Sequence, residues 1–367
     1  MFPGYLSGGG SMSISFGSRV VSDFGVPYII AEIGANHNGD MELARKLVVA
    51  AKESGCDCVK FQSWSKKTIF SAVNYRENKF LSDDYRQRKD FTLEKIVEAF
   101  SLDEGQLREL KEFCDNAGIH FSSSVFSRAE ADFLVEELKA PFVKIASMDI
   151  TTPPLLEYVA GIGTPVVLST GLSDPGEVDR AVLVMEAAGV KELALLHCVS
   201  NYPPREECVN LRNMEWLRTA YPGCPVGYSD HTMGAAAAVG AVALGASIIE
   251  KHFTLDKGMF GWDHAISTDP AEMAELVRMC RSVRACLGST RRTLTSEDAE
   301  RRPAFRRSIV AARDIKAGTR LAVADLDFKR PGIGISPVDL DHVVGRVVKK
   351  HISADEIIVW QDFDGEA

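Results

Sequence analysis

The chain reads as an α/β protein, a (β/α)8 TIM barrel followed by a small β-rich domain, and three observations lead there. Short apolar, β-branched runs alternate with amphipathic stretches eight times across residues 28–288. The runs lack a polar face, as strands of a parallel sheet buried on both sides do. Beyond a charged stretch that begins at Ser289 the pattern changes to short β-rich pieces punctuated by Lys316-Ala317-Gly318 and Arg330-Pro331-Gly332-Ile333-Gly334.

Taken in order, the first twelve residues, MFPGYLSGGGSM, carry no basic region ahead of an apolar core, so they are not a secretion signal. Residues 1–17 are expected to form a flexible extension. The barrel is placed at 18–288, with strands at Tyr28–Gly34, Asp57–Gln62, His120–Ser124, Phe142–Ser147, Pro165–Thr170, Leu193–Val199, Val226–Asp230 and Ser247–Phe253. Between them lie helix signals. Ser101-Leu102-Asp103-Glu104 has the form of a capping box for a helix that stops near Gly118. Asp269-Pro270 opens a helix that runs to about Gly288, with proline at the first helical position. Met233–Leu244 is helix-like. A doubly wound open sheet is the other arrangement of such units, but no glycine-rich phosphate fingerprint follows the first strand. Ser63–Phe100 is long for a βα connection and rich in charge and aromatics, as a pocket wall or lid is. A linker at 289–306 then leads to the β-rich domain at 307–367, built from pieces such as SIVAA, RLAVADL and IIVW.

Composition narrows the partners. A net charge of -9 argues against nucleic acid, while leaving room for a small anion in a local basic pocket. No apolar run approaches the ~20 residues of a membrane span. The eight cysteines mostly fall inside apolar segments, and Cys56-Asp57-Cys58 lacks the two-residue gap of a redox or zinc pair. They read as buried free thiols of a reducing, cytoplasmic setting.

The strand ends carry the chemistry, because barrel active sites form at the C-terminal rim. In order these ends present Glu32; Lys60 with Gln62; Ser124; Lys144 with Ser147 and Asp149; Ser169 and Thr170; Ser200 with Tyr202; Ser229 with His231; and His252. His231 and His252 end successive runs, so a barrel brings both imidazoles to one rim, where they can share a divalent metal. Lysines with clustered hydroxyls suit phosphate and carboxylate groups. Lys60 lies in an otherwise apolar strand and needs a buried partner. Glu32 and Asp149 are the candidates for general acid–base work, although Asp149 could instead cap the next helix. His37 could be a further ligand or a loop cap, and His197 reads as a core histidine.

At this point the segments AEIGANHNGDMELARKLVVAAKESGCDCVKFQ, VKIAS, VVLSTGLS, GYSDHT and EKHFTLD resemble, in that order, the sialic acid synthase family. The tail, with RRSIVAARDIKAGTRL and FKRPGIGIS, is similar to the antifreeze-like (SAF) domain that ends these synthases. The resemblance implies condensation of phosphoenolpyruvate with an N-acetylated hexosamine to give a nine-carbon 2-keto acid. It implies that His231 and His252 bind a divalent ion, usually manganese, with magnesium or cobalt as alternatives. Lys60, Ser124, Lys144, Ser147, Ser200 and Ser229 match the phosphoenolpyruvate pocket, and Gln62, Tyr202 and Asp263 match positions that hold the sugar. Arg330 matches an arginine that reaches a partner subunit's site in a domain-swapped homodimer. N-acetylmannosamine giving N-acetylneuraminate is the first expectation; diacetamido sugars giving legionaminate or pseudaminate come second.

The chain departs from the family pattern at Met148-Asp149, where Gly-Glu is common, and at Val125, where proline is. Asn74 and Asn78 are the candidates for the family's sugar-binding asparagine. The rival enzyme class is a Schiff-base aldolase using Lys60, Lys144 or Lys251, and the non-enzymatic rival is a degenerate sugar-binding protein.

Overall fold

A computed structural model describes residues 13–78 and 91–363. The expected extension at 1–12 and the 79–90 portion of the Ser63–Phe100 segment lie outside the described residues. The chain folds as two compact units, Met1–Gly288 and Ser289–Ala367.

The first unit opens with a hairpin, β1 (Ser13–Phe16) and β2 (Arg19–Ser22). This corrects the expected flexible stretch to residue 17: Ile14 and Phe16 are fully buried, and Phe16 packs on Tyr28 and Phe142. Eight strands then close a parallel barrel: β3 (Tyr28–Gly34), β4 (Cys58–Gln62), β5 (His120–Ser124), β6 (Val143–Ile145), β7 (Val166–Ser169), β8 (Leu193–Cys198), β9 (Val226–Asp230) and β10 (Ile248–His252), with β10 pairing to β3. The helices are α1 (Met41–Glu53), α2 (Ala72–Glu77), α3 (Leu93–Phe100), α4 (Glu104–Ala117), α5 (Arg128–Asp132), α6 (Pro153–Ile162), α7 (Pro175–Ala187), α8 (Asn213–Ala220), α9 (Ala236–Ala243) and α10 (Pro270–Leu287).

Local chemistry explains the differences from expectation. The capping box sits two residues on, where Asp103 and Gln106 exchange side-chain and backbone bonds; Ser101 instead ends α3. Gly118 ends α4 in the left-handed region, as expected. The helix expected from Met233 starts at Ala236, because a turn through left-handed Gly234 comes first. In the long β4–α4 connection, Asn74 Oδ1 accepts from Ser71 Oγ, the N-cap of α2, and Asn78 Oδ1 accepts from Leu93 N at the start of α3. α3 and its neighbours form a satellite core of Trp64, Leu93, Ile96, Val97 and Phe100, with Trp262 packed against it.

Period-2 alternation sets what faces inward. The lower half of the interior is apolar: Tyr28, Ile30, Cys58, Phe142, Val167, Ala194, Leu196 and Ile248 cluster there with Ile14, Phe16 and Val21 of the hairpin. Two residues further along the same strands the inward positions become Glu32, Lys60, Lys144, Ser169, Cys198 and Glu250. The hairpin therefore plugs one end and the polar layer opens at the other. The alternate positions face the helices in a separate, larger core.

In the second unit, β11 (Ser308–Ala311) pairs antiparallel with β12 (Leu326–Lys329) over a core that includes Ile309, Ile315, Val348, Ile352 and Phe363. The expected linker at 289–306 is partly helical: α11 (Ser296–Phe305) starts at Thr295, whose hydroxyl accepts from Asp298 N. Among the described residues no helix is long and apolar enough to cross a membrane. All eight cysteines are free.

Candidate active site

The polar layer begins with an ion-pair cluster. Lys60 Nζ lies 2.6 Å from Glu32 Oε2 and 3.9 Å from Glu250 Oε2, and donates to Ser124 Oγ at 3.0 Å. Ser229 Oγ donates to Glu250 Oε1 at 3.0 Å, and Gln62 Nε2 to Glu32 Oε1 at 2.8 Å. Burial pushes the Glu32 carboxyl from 4.5 up to about 7; Lys60 opposes the rise and Glu250 adds to it. Burial acts on Glu250 in the same sense, but Lys144 and Lys60 together outweigh it and hold that carboxyl below its ordinary value. Lys60 is raised: burial opposes its charge, and Glu250 with Glu32 prevails. Lys144 is lowered, chiefly by burial, and donates to Ser169 Oγ at 2.7 Å and Ile145 O at 2.8 Å.

Two residues beyond Ser169, the hydroxyl that Lys144 meets, the backbone of Gly171 is closely packed. A Cβ there would meet Ser200 Oγ at 2.4 Å, Ser147 Oγ at 2.7 Å and Cys198 Sγ at 3.1 Å, so only glycine lets these side chains close on the backbone. Gly171 N donates to Ser147 Oγ at 3.0 Å. Two hydroxyls thus close on a bare backbone near Lys144, donors of the kind that bind phosphate or carboxylate groups.

The two histidines come together as expected. Their ring centroids are 5.2 Å apart. Val199 O lies 2.9 Å from His231 Nδ1, which places a proton there and leaves Nε2 as the ligand atom of the neutral ring. Burial lowers this imidazole's pKa, but Cys198 and Val199 O outweigh burial and hold it above its ordinary value. His252 is buried, and its Nδ1 has no hydrogen-bond partner; Asp263 Oδ2 stands 3.7 Å away. Burial, reinforced by His231, holds His252 well below the usual imidazole value, so it is neutral and able to ligate. Tyr202 lies against His231 at 4.2 Å and edge-on to His252 at 5.8 Å. Asp263 is pushed up to about 6 by burial, against His231 and Lys60. Among the described residues no group of three His, Cys, Asp or Glu converges as a metal cage. If a divalent ion binds here, His231 and His252 are the nitrogens that would hold it, with its other positions left to water or substrate.

Thus Glu32, Lys60, Gln62, Ser124, Lys144, Ser147, Ser200, Tyr202, Ser229, His231, His252 and Asp263 all belong to the barrel unit's C-terminal end. Asp149 follows Ser147 in a short 3-10 turn. Its Oδ2 is buried without a partner and caps no helix, and burial pushes it up to about 6 with Lys144 opposing. Arg330 belongs to the second unit, where its guanidinium lies 5.3 Å from the Phe305 ring centroid. His37 caps its own loop by accepting from Gly39 N, and His197 bonds Val209 O and stacks on Tyr228.

Sequence reasoning missed Glu250, although it lies two residues before His252 and so shares its face. It also missed Gly171, and it grouped Cys198 with core thiols, whereas Cys198 Sγ lies 3.6 Å from Ser200 Oγ at the site. Lys251 points the other way. Its Nζ donates to Asp230 Oδ2 at 2.7 Å and to Thr232 O, out of reach of a substrate inside the barrel.

Comparison with known proteins places the two units. The NeuB family profile matches residues 47–292, and a SAF domain matches residues 306–364. An uncharacterised protein of Methanocaldococcus jannaschii is 42% identical over 96% of this chain and 99% of its own. N,N'-diacetyllegionaminic acid synthase of Legionella pneumophila is 38% identical over 92% of this chain and 94% of its own. The crystal structure of an N-acetylneuraminic acid (sialic acid) synthetase from Leptospira borgpetersenii, in complex with citrate, superposes with a TM-score of 0.68 at 31% identity. That match covers 79% of this chain and 95% of the Leptospira chain.

Proposed function

The chain belongs to the NeuB family, and from that premise we propose that it condenses phosphoenolpyruvate, an open-chain N-acetylated hexosamine and water into a nonulosonic acid and phosphate. The observation that carries this reading is that Lys60, Lys144 and the hydroxyls around Gly171 stand at the same end of the barrel as two histidines whose rings lie 5.2 Å apart.

Lys144, Ser147 and Ser200 hold one anionic group of phosphoenolpyruvate around Gly171; Lys60, Ser124 and Ser229 hold the other. His231 and His252 would hold a divalent ion, manganese in the first instance, which when bound would supply Lewis-acid polarisation of the acceptor's aldehyde. C3 of phosphoenolpyruvate attacks that aldehyde carbon, water adds at C2, and phosphate leaves with cleavage of the C2–O bond. Glu32, held by Lys60 and Gln62 with its pKa near 7, takes the water's proton; Asp149 is the second candidate. Gln62, Tyr202 and Asp263 face the sugar. A partner copy contributes Arg330 in a domain-swapped homodimer, and the enzyme works in a reducing cytoplasm, which its free cysteines support.

N-acetylmannosamine is the first acceptor. A diacetamido hexose is the second, favoured by the likeness to the Legionella synthase. The test is phosphate release from phosphoenolpyruvate with manganese across N-acetylmannosamine, its 6-phosphate and diacetamido hexoses. Release with one acceptor, lost on adding EDTA, is expected; release with none overturns the reading. In parallel, calorimetry should find that His252→Ala no longer binds manganese while its circular dichroism is unchanged. Retained binding removes His252 from the ligand set.

A further inference from the structure

Gln62 is held by a residue outside the polar layer. Trp64, two positions beyond β4 and 3% exposed, donates its indole N–H to Gln62 Oε1 at 2.7 Å. Gln62 Nε2 in turn donates to Glu32 Oε1 at 2.8 Å. An indole nitrogen can only donate, so the amide oxygen must face Trp64 and the amide nitrogen must face the site. Gly34, left-handed at φ +53°, leaves the room this needs: a Cβ there would lie 3.2 Å from Gln62 Nε2 and 3.1 Å from Glu32 Oε1. Trp64 is itself fixed by the satellite core and by Trp262, whose ring centroid is 5.5 Å away and which immediately precedes Asp263.

We propose that Trp64 is a positioning residue that sets acceptor specificity: it locks the Gln62 amide so that only N–H is presented to the sugar. Gln62 keeps one free N–H and one oxygen lone pair, but the oxygen is turned to Trp64, so the amide edge on the Glu32 side offers a donor. The acceptor group it meets is therefore an oxygen that accepts a hydrogen bond, a carbonyl or hydroxyl oxygen, and not an amide N–H. This rests on the reading above, in which Gln62 faces the acceptor.

The test is a double-mutant cycle of Trp64→Phe and Gln62→Leu, with KM measured separately for acceptor and phosphoenolpyruvate. Trp64→Phe keeps a ring in the satellite core but frees the amide to turn. It should raise the acceptor KM about tenfold and move the phosphoenolpyruvate KM less than about twofold. Because Trp64 acts through Gln62, the double variant should be no worse than Gln62→Leu alone. An unchanged acceptor KM in Trp64→Phe, or effects that multiply in the double variant, overturns the lock and leaves Trp64 a packing residue. If the wild type releases no phosphate with any acceptor, the synthase reading fails first. The lock is then judged by hydrogen exchange of the Trp64 indole: slow in wild type and fast in Gln62→Leu sustains it, equal rates refute it.

Discussion

Lys60 and Lys251 stand on the two strands that flank β3, both buried to within 2% exposure, and each beside a carboxylate, at 2.6 Å and 2.7 Å. They occupy opposite faces of the barrel wall. On the outer face, Lys251 bonds Asp230 and Thr232 O, and Asp230 Oδ1 accepts from Thr232 N at 2.8 Å, so the set closes on itself. On the inner face, Lys60 is divided among Glu32, Glu250 and Ser124; Glu250 Oε2 has no hydrogen-bond partner, and Glu32 is raised to about 7. A closed buried pair ties two strands together. An open one keeps charge and hydrogen-bonding capacity for a ligand, and tolerates loss of a partner by changing protonation.

Substituting each lysine breaks the comparison most directly. Lys251→Met leaves Asp230 buried without its counter-charge and should cost about 3–5 kcal/mol in urea unfolding. Lys60→Met should cost less than about 1 kcal/mol at pH 6, because Glu32 can take up a proton instead, while phosphate release falls at least about a thousandfold. Equal losses of stability would erase the distinction between the faces.

Glycines sharpen it next. Gly171→Ala should raise the phosphoenolpyruvate KM about tenfold and cost about 1–3 kcal/mol of stability as Ser147 and Ser200 give way. Gly161→Ala, on α6 with nothing within 4 Å of its Cβ, should leave both KM values alone. It should stabilise the protein by about 0.4–1 kcal/mol. Hydroxyls that accept alanine at Gly171 without penalty would not form an anion site.

The smallest effect is on the pH dependence of stability. The folded pKa of Glu32 is raised from 4.5 to about 7, so its contribution to stability is full below 4.5 and is lost as pH rises through 7. Wild type should therefore lose more stability than Glu32→Gln between pH 5 and pH 8. Parallel denaturation midpoints for the two proteins would mean that the Glu32 pKa is unshifted on folding.

Much of this was legible beforehand. The eight strands fell where apolar runs predicted them, and β9 matched residue for residue at Val226–Asp230. Strand ends identified His231, His252, Lys60 and Lys144, because alternation sends i and i+2 to one face and the rim is where polar residues are useful. Two expectations failed for different reasons. The hairpin at Ser13–Ser22 is ordered by the apolar floor of the barrel, and its own composition does not announce it. The capping box moved to Asp103 because a helix already ends at Ser101.

By itself, then, the sequence determined the period of each element, its caps, and which residues share a face, since those depend on neighbours a few positions away. Only tertiary structure decided which buried groups are satisfied. Glu250 meets Lys60, and Trp64 meets Trp262, across nearly the whole length of the barrel domain, and these meetings exist only once β10 closes on β3. A carboxyl's pKa, an amide's orientation and the open lone pair of an imidazole follow from what lies within a few ångströms in the folded chain.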